Sequence, residues 1–378
     1  MRITIISRSW PSDERSGVAL CAGLHAKLLI EQGHQVSVIG SYSIEGFDLP
    51  VEHKITVPSS GSGALYSPVK IDREALGKAI ILTNPDLVVI EAWQTALTDS
   101  AIEVASGLNI PILMISHGIS MHPYTSSWQQ RLRSWAWKPY QYFFLPKLLK
   151  KVTAMTMLDQ TSSSFRFHDR DLARNFNIPL YLLRNSPIHR SEKLFTRGER
   201  KNQILVVGYF SPVKNQLAAI ELLASLSPEI HLCLIGDRNG SYYKKCEQAV
   251  REGNLDKRVH FFQDNECDLA QELASSLLVF SPSITEALPM VLIESMACGT
   301  PFVATSVGAV ASFKGGMTAD TPQAQLIAIE RLVNDDLLWQ RYSEAGLSQY
   351  KEEFTELCVG RQLAHAVETV SKAGVSAQ

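Results

Sequence analysis

Glu286 and Glu294, with seven residues between them, lie in a stretch whose other members are nearly all apolar or small: Leu277 to Thr305, LLVFSPSITEALPMVLIESMACGTPFVAT. Val291, Leu292, Ile293 and Met296 surround Glu294, and a carboxylate buried among such neighbours is costly unless something pairs with it. Glu286 falls in the small-residue loop from Ser281. Glu294 falls on the helix that Pro289 opens, a position where proline is tolerated. Two carboxylates beside a helix N-terminus, whose unpaired N–H groups suit phosphate, can hold a polyhydroxylated, phosphorylated molecule. Lys214 follows Val206-Val207-Gly208-Tyr209-Phe210-Ser211-Pro212-Val213, a strand ending in a glycine loop. A cation opening a helix opposes the helix dipole, so a merely solvated lysine is the weaker reading. His117 follows the strand Ile112 to Ser116 and precedes Gly118. It either caps that strand end or meets a ligand there. Asp169-Arg170-Asp171 has the spacing of a metal-binding Asp-x-Asp, but in a polar helical stretch it reads as surface.

The elements that must position these groups alternate between strand and helix. Ile3 to Ser7, Gln35 to Ile39, the His53 to Val57 region, Leu87 to Ile90, Ile112 to Ile115 and Val152 to Leu158 read as strands. Helices are expected over Val18 to Gln32 and around Leu97 to Ser106. A second series supplies strands at Ile204 to Val207, His231 to Ile235, Val259 to Phe262, Leu277 to Phe280 and Phe302 to Ala304. Alternation of this kind implies parallel sheets covered on both faces. The expected fold class is therefore α/β, with two doubly wound, Rossmann-like domains and a cleft between them. The linker is expected near Asn185 to Arg200. Gly61-Ser62-Gly63 is a loop and not a dinucleotide fingerprint, because no strand leads into it.

Composition narrows the classes. At 378 residues two domains of ordinary size are expected, and 45% hydrophobic with 20% charged residues suits a globular enzyme. A formal charge of −2 gives no overall case for nucleic acid. Six scattered cysteines without a CxxC pair read as reduced thiols. Met1 to Ser7 reads as a first strand and not a leader, and no apolar run is long enough to span a membrane.

The segment TEALPMVLIESMACGTPFVAT, with its Glu-x7-Glu, resembles the signature of group 1 (family 4) retaining glycosyltransferases of the GT-B fold. The resemblance covers nearly the whole chain and is strongest in the second half. It implies an acceptor-binding domain over residues 1–187, joined by a final helix at about 354–378, and a nucleotide-sugar-binding domain over 188–353. It further implies roles for single residues. Glu294 would accept from the nucleotide ribose, and Glu286 would contact the donor sugar, with Ala287 and the N–H groups of Leu288 and Met290 nearby. Lys214 would grip the diphosphate from the loop carrying Gly208 and Tyr209. His117 would approach the reacting sugar carbon. Ser16-Gly17 resembles a shortened glycine-rich loop opposite the diphosphate. Arg238, after Ile235-Gly236-Asp237, would reach the nucleotide, and Phe262 would set backbone against the base. The sequence departs from the family at Tyr209, where an arginine is usual, at Asn215 for a glycine, and at Glu286-Ala287-Leu288-Pro289 for Glu-Gly-Phe-Gly. Either Lys214 works with another cation, Arg184 or Arg238, or the grip is weaker.

The expected reaction is retaining, metal-independent transfer from a nucleotide-diphospho-sugar, which is a substrate, with no cofactor. Trp128 to Lys151, WQQRLRSWAWKPYQYFFLPKLLKK, holds three of the six tryptophans, six Lys or Arg and no acid. Such a segment can lie at an anionic membrane; alternatively it is an internal helix with Trp135, Tyr142 and Phe143 in the core. A mixture of the two is favoured. That points to a glycan or lipid-linked acceptor, as in lipopolysaccharide or cell-surface polysaccharide synthesis, and to a cytoplasmic location at the inner face of the membrane. A nucleotide-sugar 2-epimerase of similar architecture and a non-catalytic carbohydrate-binding homologue are the alternatives.

Overall fold

Short runs of branched apolar residues, each ending in a turn that leads to a helix, form parallel strands buried on both faces. The computed structural model describes all residues except 14, 15, 120, 124, 126, 160–168, 377 and 378, with side chains described to residue 372. It divides into two units, Met1–Asn185 with Glu356–Gln378, and Ser186–Thr355.

The first unit is built on β1 (Arg2–Ser7), β2 (Gln35–Gly40), β3 (Lys54–Thr56), β4 (Leu87–Glu91), β5 (Ile112–Ile115), β6 (Ala154–Met157) and β7 (Leu180–Leu182). All are parallel, in the order β3-β2-β1-β4-β5-β6-β7. The register sets Ile5 beside Val89 and Ser7 beside Glu91. Helices α1 (Gly17–Glu31), α2 (Arg73–Thr83) and α3 (Ala96–Gly107) begin at Ser16, Asp72 and Thr95. Each of these caps accepts from the backbone N–H three residues on, satisfying a donor the helix cannot. After β5 come α4 (Trp128–Ala136), a π-helical turn over Tyr140–Phe144, α5 (Leu145–Leu149) and α6 (Asp169–Asn175).

The second unit repeats the design with β8 (Lys201–Val207), β9 (His231–Ile235), β10 (Val259–Phe262), β11 (Ser276–Ser281), β12 (Phe302–Ala304) and β13 (Gly316–Thr318). Their order is β10-β9-β8-β11-β12-β13, again all parallel. Around this sheet lie α7 (Gln216–Leu223), α8 (Ser241–Glu252), α9 (Leu269–Ser275), α10 (Met290–Ala297), α11 (Pro322–Asn334) and α12 (Asp336–Gln349).

The last helix, α13 (Glu356–Ser376), belongs to the first unit. Its Val359, Leu363, Ala366, Val367 and Val370 join the core formed by Ile3, Ile5, Leu28 and Leu113. Lys27 Nζ meets Glu356 Oε2 at 2.6 Å, and Gln32 Nε2 donates to the Gly360 carbonyl at 2.9 Å. Two edge strands, β7 and β13, were not expected from the sequence. Each is a three-residue edge, Leu180-Tyr181-Leu182 and Gly316-Met317-Thr318, without a run of branched apolar residues.

Candidate functional site

In the second unit the strand order reverses between β8 and β11, the place where such sheets bind ligands beyond their carboxyl ends. The loop leaving β8 carries Lys214 and the loop leaving β11 carries Glu286. Lys214 Nζ donates to Glu286 Oε1 at 2.6 Å, with the two side chains 20% and 15% exposed. A partly buried ion pair that still reaches solvent can be re-partnered by an anionic, hydroxyl-rich ligand. Gly208 has φ +142, and a Cβ there would lie 3.2 Å from Lys214 Cε, so the glycine keeps the lysine stem close to the backbone. Gln216 fastens the same loop: its Nε2 donates to the carbonyls of Gly208 and Tyr209 at 3.0 and 3.1 Å. Tyr209, in place of an arginine, is exposed, and Lys214 Nζ sits 5.9 Å from its ring centroid.

The Glu286 loop rests on Gly308, where φ is +57 and a Cβ would fall 2.2 Å from the Glu286 carbonyl oxygen. Ala309 N–H donates to the Ala287 carbonyl at 3.0 Å, and Ile284 N–H to that of Val213 at 2.8 Å, joining this loop to the Lys214 loop. Leu288 is buried and Met290 half-buried at the start of α10. Pro289 at the N-cap gives no side-chain cap, and no acid lies in the first turn. The helix end keeps its partial positive charge.

Glu294, one turn into α10, is buried, and His189 N–H donates to its Oε1 at 3.2 Å. Burial pushes its pKa up, against the opposing influence of the His189 charge and the N–H groups of His189 and Ile188. The far end of α10 is clasped by Arg200. The guanidinium donates to the carbonyls of Ala274, Ser276, Cys298 and Gly299 and to Thr300 Oγ1, with Nη1 bonds of 2.7, 3.1 and 2.6 Å to Ala274, Ser276 and Thr300. It lies 4.8 Å from the Trp339 ring centroid.

In the first unit the order reverses between β1 and β4. Ser16 Oγ accepts from Ala19 N–H at 3.4 Å, and Gly17 opens α1 with open space where a Cβ would stand. Steric need therefore does not explain that glycine. Glu91, the last residue of β4, is fully buried. His25 Nδ1 lies 2.7 Å from its Oε1 and His117 Nε2 2.8 Å from its Oε2. Burial, the largest influence, pushes the Glu91 pKa up, but the charge of His25 with the hydrogen bonds from His117 and His25 outweighs it and holds the group at about 2. Sequence reasoning found His117 but not Glu91, His25 or His189. The available signal for Glu91 was a lone carboxylate closing the apolar run Leu87 to Ile90.

The other expected site groups have partners of their own. Arg238 is already engaged, donating to Glu266 and to the Phe261 carbonyl. Arg184 lies in the first unit, 3.9 Å from Asp159. The Phe262 carbonyl accepts from Gly236 N–H at 3.0 Å, so it works within the second unit's own backbone. Asp169 is half-buried and accepts from Ser116 Oγ, the residue before His117, and so does more than cover surface. Among the described residues no group of three or more His, Cys, Asp or Glu could hold a metal.

Trp128 to Lys151 is not a continuous helix. Trp137, Tyr140, Leu145, Leu148 and Leu149 face the core, whereas Trp128, Leu132, Trp135, Tyr142, Phe143 and Phe144 are each more than half exposed. Trp135, Tyr142 and Phe143 are thus outside the core. A groove of about 630 Å³ runs along α4, lined by Leu65, Tyr66, Leu132, Arg133 and Trp135 among others. Among the described residues no helix is long and apolar enough to cross a membrane.

Residues 190–348 match the family model described as glycosyl transferases group 1. The chain is similar to D-inositol 3-phosphate glycosyltransferase of Mycobacterium leprae, 26% identical over 189 residues, which cover 43% of this chain and 44% of that protein. The matches thus span about half the length of the curated relatives. Among solved structures it is similar to sucrose-phosphate synthase from Thermosynechococcus elongatus, with TM-score 0.72, 18% identity and coverage of 98% and 99% of the two chains. It is also similar to Anabaena HepE in complex with UDP, with TM-score 0.68, 17% identity and coverage of 98% and 100%. At these identities the likeness is one of fold, the GT-B arrangement of two Rossmann-like domains.

Proposed function

Because residues 190–348 match the family model of group 1 glycosyl transferases, we propose that this protein moves a sugar from a nucleotide-diphospho-sugar to a glycan or lipid-linked acceptor. The observation that carries this reading is the Lys214–Glu286 pair at the strand-order reversal, with Glu294 one turn into the adjoining helix. On donor binding, the diphosphate takes Lys214 and the unpaired N–H groups of α10, and Glu286 turns to the hydroxyls of the sugar. Glu294 accepts from the ribose. Fixed positive charge at the leaving diphosphate supplies the largest part of the rate enhancement. His117 stabilises positive charge growing at the sugar carbon. The acceptor attacks on the face that the diphosphate leaves, with retention and without an enzyme nucleophile, unlike the covalent route of retaining glycosidases. Lys214 and the helix end do the electrostatic work, and no metal is required.

The acceptor is a membrane-borne glycan, as in lipopolysaccharide or cell-surface polysaccharide synthesis. Support comes from the exposed rings of Trp128, Trp135, Tyr142, Phe143 and Phe144 among six cations and no acid. Rings at headgroup level and cations on anionic lipid would hold the protein at the inner face of the cytoplasmic membrane.

The test begins with melting curves in UDP, ADP, GDP and their sugars, since a ligand of the folded state raises the midpoint. Stabilisation by one nucleotide series, followed by transfer whose product keeps the donor's anomeric configuration and is unaffected by EDTA, is expected. Turnover of the nucleotide sugar without any acceptor would instead identify an epimerase or hydrolase. Binding with no turnover, equal in wild type, Lys214→Ala and Glu286→Ala, would identify a non-catalytic binding protein.

A further inference from the structure

The buried carboxylate of Glu91 holds two histidines from two other elements, one of which, His117, stands at the carboxyl end of β5. An ionised carboxylate only accepts hydrogen bonds, so both rings must turn an N–H towards it. For His117 that N–H is on Nε2, 2.8 Å away, which leaves Nδ1 as the ring nitrogen not engaged by Glu91. For His25 it is on Nδ1, 2.7 Å away, and Nε2 of His25 is buried without a partner. A partnerless nitrogen in a closed environment does nothing towards a ligand directly. Its ring serves to fix the carboxylate from behind.

The turn that carries Glu91 is built for position at some conformational cost. Ala92 and Gln94, neither a glycine, have φ of +66 and +67, in the left-handed region that L-residues avoid. Three contacts then tie this turn to the His117 turn. Ala92 N–H donates to the Ile115 carbonyl at 3.0 Å, Trp93 Nε1 donates to Ser116 Oγ at 3.0 Å, and His117 donates to Glu91. Strained backbone held this firmly is a mark of functional turns. Among the described residues, the charged groups hydrogen-bonded to the His117 turn are Glu91, whose other oxygen holds His25, and Asp169, which accepts from Ser116 Oγ.

We infer that Glu91, steadied by His25, is a positioning residue for glycosyl transfer: it fixes the tautomer and orientation of His117 so that Nδ1 is the nitrogen available to the donor sugar. This rests on the function proposed above, since it is the donor sugar that gives His117 its task. The two ideas can fail separately.

The experiment is histidine ring ¹⁵N spectroscopy on the full-length protein, together with steady-state turnover of the nucleotide sugar that most raises the melting temperature. Wild type should show His117 with its proton on Nε2. Glu91→Gln, nearly isosteric, can accept from only one ring through its oxygen while its amide opposes the other. The His117 ring signals should therefore move, kcat should fall by roughly 10-fold or more with little change in KM, and the pH–rate profile should shift. His25→Gln keeps Glu91 and should show the same changes in smaller measure. His117 ring signals unchanged in both variants would overturn the positioning role whatever the substrate. Shifted signals with unchanged kcat and pH profile would overturn its link to turnover. No turnover of any nucleotide sugar by wild type removes the proposed function, and with it this role, even where the ring signals show that Glu91 sets the His117 tautomer.

Discussion

At the scale of single residues, the candidate site is a set of groups already satisfied by one another that a ligand must re-partner. Lys214 and Glu286 neutralise each other at 2.6 Å, so Lys214→Ala leaves a carboxylate facing any incoming diphosphate. Affinity for the stabilising nucleoside diphosphate should fall by at least about 10-fold by calorimetry, with the melting temperature nearly unchanged. Glu294 makes a different prediction. Burial raises its pKa, whereas ribose hydroxyls donating to it would favour the charged form. Where Glu294 titrates, nucleotide binding should therefore release protons, read as a binding enthalpy that varies with buffer ionisation heat, and Glu294→Gln should reduce that dependence. Glu91 sets a stability term of definite sign. Its folded value of about 2 lies below the ordinary 4.5, so the contribution is complete above the unfolded value and disappears as pH falls towards 2. Its upper bound is about 3 kcal/mol. Chemical denaturation of wild type and Glu91→Gln between pH 6 and 3 should show the gap closing on the acid side.

At the scale of elements, α10 is held at both ends by contacts that do not touch a ligand. Arg200 closes its C-terminal end with a planar fork spread over five carbonyls, that of Phe195 included, and a hydroxyl. Lysine has no such fork, and Arg200→Lys should cost roughly 2 to 5 kcal/mol of stability in denaturant titration. Gly308→Ala acts at the other end, where the added Cβ meets the Glu286 carbonyl. It should weaken nucleotide binding by more than its effect on the melting temperature accounts for. These elements differ in how far the sequence discloses them. The Glu286 to Glu294 stretch is legible because two acids interrupt an otherwise apolar strand-loop-helix. Lys214 is legible because it breaks the helix-dipole rule. The bonds Glu91–His25, Glu91–His117 and Glu294–His189 join residues far apart in the chain, and no local pattern encodes which ones meet. Arg238 carries the right charge for an anion, but its engagement by Glu266 depends on a second loop. Tyr142 and Phe143 lie within the π-helical turn over Tyr140–Phe144, whose wider ring departs from the roughly 3.6-residue spacing by which a sequence pattern assigns faces.

At the scale of the whole molecule, each unit is a doubly wound sheet whose strand alternation is readable in the sequence, apart from the edge strands β7 and β13. The split of the first unit into Met1–Asn185 and Glu356–Gln378 is a matter of long-range packing. The apolar face of α13, from Val359 to Val370, buries five side chains almost completely. That contribution is on the order of 10 kcal/mol, comparable to the net stability of a domain. A chain ended after Thr355 should leave the second unit folded and the first molten, separable by limited proteolysis that spares residues 186–355. For the Trp128 to Lys151 segment, proposed above to meet anionic lipid, replacing Trp135, Phe143 and Phe144 by serine should reduce sedimentation with anionic vesicles without changing the melting temperature.

The late position of α13 bears on how the protein is made. The ribosome delivers the first unit's sheet, then about 170 residues of the second unit, and only afterwards the helix that covers Ile3, Ile5 and Leu113. At 5 to 20 residues per second, the uncovered face waits roughly 10 to 30 s. Through that interval the sheet presents exposed apolar surface of the kind that makes partly folded chains prone to aggregate.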